Sequence, residues 1–519
     1  MRVSRLLGLA VGLGWLIPAA ASAQTLTLKD AIASALARNR EIVVERESGI
    51  QTREAIARAE SAFDPVVRGE SRVRDQTLPV ISILSGAPPG ELAPTSRSVA
   101  ASASFSRLFT SGGSITASTS LSRDTSNNFL TLVSPAWFTS VGVEARQPLL
   151  QGRRIDPARR ALRVSRATVD RSEASLRRTV TETVAAVEQA YWILVAARRD
   201  VAIRESTMQL AEHQRADARV RVEAQVLPES DLAQFTAEIE RRRGDLYASR
   251  ENAARAELAL KALILESADS PLWAQTLQLE DPPPPAIAST VDLQAALADA
   301  AARPELADSD ARLALQQIEL DAARDRLRPQ LDLVGGYTAR GVAGARSPDV
   351  RPFPGLTVEF QDELQGALGA SLESVALNRF PDVTAGIQLT IPLGYRAAHA
   401  DIATAESQRR QIEAARERIR IQIAVEVRNA VTALETAAQR IEAARAALDA
   451  ARIQLRAEED RLSAGATTPF FVLTRQNDLA AAEVADAAAI AAYRRALTEL
   501  ARARGTLLRD RAVDWRTTP

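Results

Sequence analysis

Val427, Leu434, Ile441, Leu448, Leu455 and Leu462 recur at every seventh position, and Ala430, Ala437, Ala444 and Ala451 follow three places behind them. A seven-residue apolar repeat keeps one line of side chains facing a partner helix and winds a left-handed coiled coil. Alanine on the second line lets neighbouring backbones come close. Val180, Val184, Val187, Tyr191, Leu194, Val201 and Met208 carry similar spacing earlier in the chain. The pattern predicts one helix from about Arg153 to Val226 and another from about Arg396 to Ala464. Each has about 70 residues, on the order of 100 Å at 1.5 Å per residue. Helices of compact domains seldom exceed about 20 residues. These arms must therefore pack lengthwise, within the chain or between chains.

Composition agrees. Among 519 residues only 4% are aromatic, and 65 basic residues balance 65 acidic ones, as expected of thin apolar seams flanked by solvated faces. A net charge of zero argues against a nucleic-acid partner, which needs a basic surface to displace counterions. The chain has no cysteine. That excludes disulfides, thiol nucleophiles, cysteine-based metal sites and a lipid anchor on an N-terminal cysteine.

Arg2 and Arg5, the apolar run Leu6 to Ile17, and Ala21-Ser22-Ala23 before Gln24 read as a cleaved export signal over residues 1–23. No later stretch reaches the roughly 18 to 20 uninterrupted apolar residues of a spanning helix. An exported chain of this kind either stays soluble or enters the outer membrane as a barrel.

The order of segments occurs twice. Thr27 to Ile42 and Val291 to Leu306 each read as a short helix ending in a polar turn. A second helix follows each and closes at Pro65 or Pro329. Strand-like segments come next, then Pro148-Leu149 or Pro392-Leu393, and then a long arm. The first repeat spans 24–280, with short helices over 27–63, strands over 64–149 and a helical hairpin over 153–265. The polyproline stretch 281–290 links it to the second repeat, 291–519, with short helices over 291–328, strands over 330–393 and a hairpin over 396–509. Each hairpin turns at a proline. Ala224-Gln225-Val226-Leu227-Pro228 with Leu232 matches Gly465-Ala466-Thr467-Thr468-Pro469 with Leu473, proline on proline and leucine on leucine.

Val383, Ala385, Ile387, Leu389 and Ile391 alternate with small or polar residues, the period of a half-buried strand. Val99 to Phe109 and Ile115 to Arg123 alternate less strictly around the turn Thr110-Ser111-Gly112-Gly113. Such one-sided strands fit a sheet over a soluble core or a barrel wall between lipid and water. Aromatics concentrated here, including Phe105, Phe109, Trp137, Phe138, Tyr337 and Phe380, favour the wall. A single chain has fewer strands than the roughly eight of the smallest membrane barrels, and an open edge cannot face lipid, so several chains must share one barrel.

Catalytic signatures are missing: there is no serine elbow, phosphate loop or dinucleotide fingerprint. His213 and His399 stand alone and read as surface residues. Glu458, Glu459 and Asp460 beside the second turn read as solvation of an exposed helix. No enzyme activity, cofactor or metal is expected.

Together these features resemble the TolC-like outer-membrane efflux proteins over essentially the whole mature chain. Ala145-Arg146-Gln147-Pro148-Leu149-Leu150-Gln151-Gly152 resembles the phrase that family places between barrel strand and long helix. Leu462-Ser463-Ala464-Gly465 with Val472-Leu473 resembles its second tip. The resemblance implies a mainly α fold with a β-barrel contribution: duplicated coiled-coil hairpins forming an α-barrel, and four strands per chain in a twelve-stranded outer-membrane β-barrel shared by a homotrimer. It further implies a location in the Gram-negative outer membrane, reaching into the periplasm. A periplasmic adaptor would dock at the tips formed by Ala224, Val226, Leu227, Pro228, Leu232, Gly465, Thr467, Thr468, Pro469 and Leu473. An inner-membrane pump of RND, ABC or MFS type would drive export. Two departures stand out. Ala224 occupies the place of a customary glycine. Acidic residues that close the tunnel in some members are replaced by Phe471 and Thr474. Closure by an apolar ring at Phe470 and Phe471, with Glu229 and Asp231 nearby, is one reading of this tip; phenylalanines that merely staple the next helix are the other. Outside the family, the rival is an exported coiled-coil scaffold whose strands form a soluble sheet.

Overall fold

The computed structural model describes residues 25–81, 85–225, 228–280, 291–351 and 360–516. The export signal, the linker 281–290 and the turn residues Val226 and Leu227 lie outside these residues, as does the side chain of Asp231.

Thr27 opens helix α1 (Leu28–Arg38) with a capping box. Its hydroxyl accepts from the Asp30 amide at 3.1 Å, and the Asp30 carboxylate accepts from the Thr27 amide at 3.3 Å. Asn39 breaks the helix and starts α2 (Arg40–Glu60) by accepting from the Glu41 amide at 2.9 Å. Four strands follow: β1 (Val66–Thr77), β2 (Thr95–Leu108), β3 (Ser114–Ser126) and β4 (Val133–Pro148). Helix α3 (Pro157–Glu223) runs for 67 residues, and α4 (Glu229–Ile264) returns. The second half repeats the order with α5 (Leu293–Asp299), α6 (Pro304–Asp325), β5 (Gln330–Arg346), α7 (Leu368–Ala376), β6 (Phe380–Thr390), the 68-residue α8 (Arg396–Ser463) and α9 (Pro469–Ala503). A short α10 (Leu507–Asp510) closes the chain. Asp292 caps α5 where Thr27 caps α1, so the duplication extends to the capping chemistry.

The chain divides into two compact units, each drawing on both halves of the sequence. One comprises residues 1–46, 176–304 and 421–519; the other comprises 47–175 and 305–420. In the first, the apolar core gathers Ile32 and Leu36 of α1, Val180, Val184, Val187, Tyr191 and Leu194 of α3, Leu260 and Ile264 of α4, and Leu507 of α10. The heptad line of α8 is buried at Val427, Leu434, Ile441 and Leu448, as its spacing requires. One charge is wholly enclosed there. Glu188 accepts from Thr498 Oγ1 at 2.6 Å and from both forks of Arg511 at 2.5 and 2.9 Å, and this contact raises the Arg511 pKa against its burial.

In the second unit, the six strands form one antiparallel sheet in the order β1-β2-β3-β4-β5-β6. That is two strands more than the four the resemblance implies. The additional pair is the hairpin β2–β3. It sits inside the sheet between β1 and β4, widening it sideways. Its turn lies at the helical end of the sheet. There a Cβ on Gly112, at φ +86°, would meet the Gly152 carbonyl oxygen at 2.8 Å. The phrase after β4 is built for the same corner. The Leu149 amide donates to the Leu331 carbonyl at 2.7 Å, and Gly152 turns in a left-handed conformation. The Gly152 amide reaches Asp325 at 2.6 Å.

Helix α7, unforeseen in the sequence, lies against β4 and β5. The Thr139 hydroxyl donates to the Ser371 carbonyl at 3.0 Å. Gly341 has no side chain because a Cβ there would lie 2.0 Å from that same oxygen.

Candidate functional sites at the hairpin turns and on the sheet

The first hairpin turns between the end of α3 at Glu223 and the start of α4 at Glu229, and the second between the end of α8 at Ser463 and the start of α9 at Pro469. In the second turn, Gly465 takes φ +72°. Its amide donates to the Leu462 carbonyl at 3.0 Å, and the Ala466 amide donates to the Arg461 carbonyl at 2.9 Å, the Schellman arrangement that satisfies a helix's last carbonyls. In the first turn, the left-handed residue is Gln225, at φ +60°, with its amide on the Val222 carbonyl at 2.9 Å. The counterpart of Gly465 is thus Gln225, not Ala224, and the proline-on-proline pairing is displaced by one residue. Pro228 precedes α4 as its N-cap, whereas Pro469 opens α9 behind the N-cap Thr468. A proline is tolerated at either position because neither owes a helical hydrogen bond.

Beyond the turns, Leu473 of α9 packs with Phe235 of α4 and Ala218 of α3 in a small buried cluster, and Val472 is buried beside it. Leu232 is half-buried, while Glu229 and Thr474 are exposed; the Thr474 hydroxyl bonds back to the Phe470 carbonyl at 3.0 Å. Phe470 and Phe471 are 55% and 52% exposed, with their rings edge-to-face at 5.9 Å. Large apolar side chains are thus held out from the first turn of α9, which leaves their surface free for an occupant outside the chain.

Two carboxylates in this region were not foreseen. Glu458 is buried, not solvating: it accepts from Thr467 Oγ1 at 2.5 Å and pairs with Arg461 at 3.3 Å, bracing the second turn from behind. The signal was present, since Glu458 stands seven residues after Ala451 on the seam's second line. Glu238 of α4 accepts from Arg241 at 2.7 Å, Arg242 at 2.8 Å and Asn477 of α9 at 2.8 Å. Burial works to raise its pKa, but the hydrogen bonds from Arg241, Arg242 and Asn477 outweigh it and hold the carboxyl at about 2. Arg242 is buried too and donates to the Thr207 carbonyl of α3 at 2.6 Å.

The sheet has two unlike faces. The register places Val67, Phe105, Ala117, Val143, Tyr337 and Val383 in one row across all six strands. Gly69, Ala103, Thr119, Val141, Ala339 and Pro381 form the next row. On the opposite face, one row reads Arg68, Ser104, Ser118, Gly142, Thr338 and Asp382, and the next reads Glu70, Ser102, Ser120, Ser140, Arg340 and Phe380. Ser120 and Ser140 hydrogen-bond across that face at 2.7 Å, and Arg340 pairs with Asp382 at 2.6 Å. The apolar rows stay open to the surroundings: Val67 is 76% exposed and Val383 72%. An apolar face this wide is the expected partner of lipid, and the serine-rich face that of water. Among the described residues no helix is long and apolar enough to cross a membrane, and no group of three or more acidic or histidine side chains is placed to hold a metal. His213 and His399 are both exposed.

Residues 294–506 match the family model for outer membrane efflux proteins. The second half of the chain is thus similar to the outer membrane efflux proteins. Solved structures with the same fold include a membrane protein from Pseudomonas aeruginosa (TM-score 0.64, 19% identity, 92% of each chain covered). The Campylobacter jejuni CmeC outer membrane channel aligns with a TM-score of 0.62 at 15% identity, over 92% of this chain and 86% of that one. The open state of the Neisseria gonorrhoeae MtrE outer membrane channel aligns with a TM-score of 0.59 at 18% identity, over 92% and 89%. No curated protein sequence matches. The outer membrane efflux proteins are channels, not enzymes.

Proposed function

We propose that this chain is the outer-membrane channel subunit of a tripartite export system, and that it acts as a passive conduit. The amphipathic sheet carries the proposal: its apolar face is fully formed, yet β1 and β6 at its two edges leave their outer backbone groups unpaired. In lipid such edges must be joined. Three copies, the number usual in the family, would join them into one barrel, with the polar face lining the lumen. The coiled-coil hairpins continue the conduit into the periplasm. The turns at Gln225 and Gly465, flanked by the exposed Phe470 and Phe471, are the surface offered to a periplasmic adaptor, which couples the channel to an inner-membrane pump of RND, ABC or MFS type. Residues 1–23 are removed on export, and the mature chain carries no lipid. The channel takes its transport energy from the pump.

Fractionation and crosslinking in intact cells test the proposal. A detergent-extracted trimer from the outer membrane that co-purifies with an adaptor, and loses it on Gly465→Arg, is the expected result. A mature chain that stays monomeric in buffer without detergent, with its β content intact, would refute it and favour the scaffold.

A further inference from the structure

We infer that the hairpin β2–β3 is membrane wall, so that three copies close an eighteen-stranded barrel instead of the twelve strands the family resemblance implies. This rests on the reading that copies share one barrel. Strand direction permits it. The six strands alternate in direction, so β1 and β6 run oppositely, and β6 of one copy can pair with β1 of the next without breaking the antiparallel alternation. An even number of strands per copy is what closure requires.

The side chains of the hairpin keep the phase of the strands around it. Val99, Ala101, Ala103 and Phe105 on β2, with Ile115, Ala117 and Leu121 on β3, lie on the same face as Val143 and Val383. Ser98, Ser102, Ser104 and Ser106, with Thr116, Ser118, Ser120 and Ser122, lie on the other. A soluble appendage has no reason to keep its apolar residues in register with a lipid-facing wall.

Its height also fits. On the apolar face of β2, Arg97 and Arg107 bracket four uncharged positions. Ten residues span about 33 Å along a strand, or about 25 Å along the axis of a barrel tilted by about 40°, the height of an outer-membrane apolar band. Arg123 stacks on Trp137 at 5.7 Å and Arg107 on Phe109 at 5.5 Å, placing cation–aromatic pairs at opposite ends of that band. The hairpin cannot hinge away as a unit, because it is laddered to β1 on one side and β4 on the other. With strands about 4.8 Å apart at that tilt, eighteen strands give a wall about 36 Å across and twelve about 24 Å. The wider lumen, lined by serine and threonine, suits bulky hydrophilic cargo, and selection by size then falls to the helical end of the conduit.

Since the chain has no cysteine, single-cysteine probes test the inference cleanly on the full mature protein in vesicles. A fluorophore at Ala103→Cys or Leu121→Cys should be quenched by brominated phosphatidylcholine as strongly as one at Val383→Cys on β6. Ser102→Cys and Ser120→Cys should instead react with a membrane-impermeant maleimide and escape quenching. Loss of quenching at Ala103 and Leu121 with quenching kept at Val383 would place the hairpin outside the membrane and restore twelve strands. Loss at Val383 as well would overturn the shared barrel itself. As a check independent of substitution, electron cryomicroscopy of the unmodified trimer in lipid nanodiscs should show a wall about 36 Å across, and one of about 24 Å would refute the inference.

Discussion

Asn477 of α9 donates a 2.8 Å hydrogen bond to the Glu238 carboxylate of α4, and so fastens one helical hairpin to the other about two turns behind their tips. Glu238 also holds the buried Arg242, whose other fork ends on the α3 backbone at Thr207. One carboxylate therefore ties three helices.

Removing it should loosen the tip. Glu238→Ala leaves the Arg242 charge buried without its counter-ion, which costs about 3 kcal/mol locally. The expected outcome is a several-fold rise in leak conductance of the purified channel, with faster amide exchange confined to α4 and α9 near the turns. Unchanged exchange there would show that the three helices hold without the carboxylate.

A pH dependence follows from the same group. The folded Glu238 pKa is depressed to about 2 from an ordinary 4.5. Its stabilisation is therefore complete above about pH 4.5 and is lost as pH falls toward 2. Leak conductance should stay flat from pH 8 to 5 and rise below about 4. Glu238→Gln should show the raised leak at pH 7 and lose this acid-dependent component.

Phe470 and Phe471 are half exposed, so Phe470→Ala with Phe471→Ala should change stability by no more than about 1 kcal/mol. If the pair closes the pore, the double variant raises leak conductance with little change in Tm. A lower Tm with unchanged leak would mean that the rings only staple the start of α9.

Gln225 adopts a left-handed backbone without being glycine, at a cost of about 1 kcal/mol. Gln225→Gly should slow protease nicking at the first turn, and Gly465→Ala should hasten it at the second by a similar factor. Nothing lies within 4 Å of the Cβ that Gly465→Ala adds, so that effect is backbone conformation alone.

Gly341→Val should expel α7 from the sheet, since its Cβ would overlap the Ser371 carbonyl oxygen; overpacking of this kind costs about 1–3 kcal/mol. Limited proteolysis within 362–379 should accelerate while β content is unchanged. Gly69→Ala, where a Cβ meets nothing within 4 Å, is the matched control and should have no effect.

The long helices were legible because heptad spacing declares both periodicity and length: the arm expected from about Arg396 to Ala464 is α8, Arg396–Ser463. Strand phase on β6 was equally plain, because Val383 to Leu389 alternate without exception. The hairpin β2–β3 was harder. Three of its seven apolar positions are alanine, too small to stand out against the serines between them, so only the register shows how the hairpin keeps its phase. Helix α7 left no trace, because it is seated by an absent side chain, Gly341, and by two serines, Ser371 and Ser374, instead of an apolar stripe. Glu238 was hidden for another reason. Glu–Arg pairs three or four residues apart are ordinary on any solvated helix, and nothing local marks the one whose partner lies 239 residues away.

A meander can gain or lose strands only two at a time, since a single added strand would reverse every later one and deliver the chain that follows to the opposite side of the wall. In a threefold assembly each such event is multiplied by three, so the bore of these proteins is not continuously tunable. It moves in steps of six strands, each adding about 12 Å to the diameter, and β2–β3 is one such step.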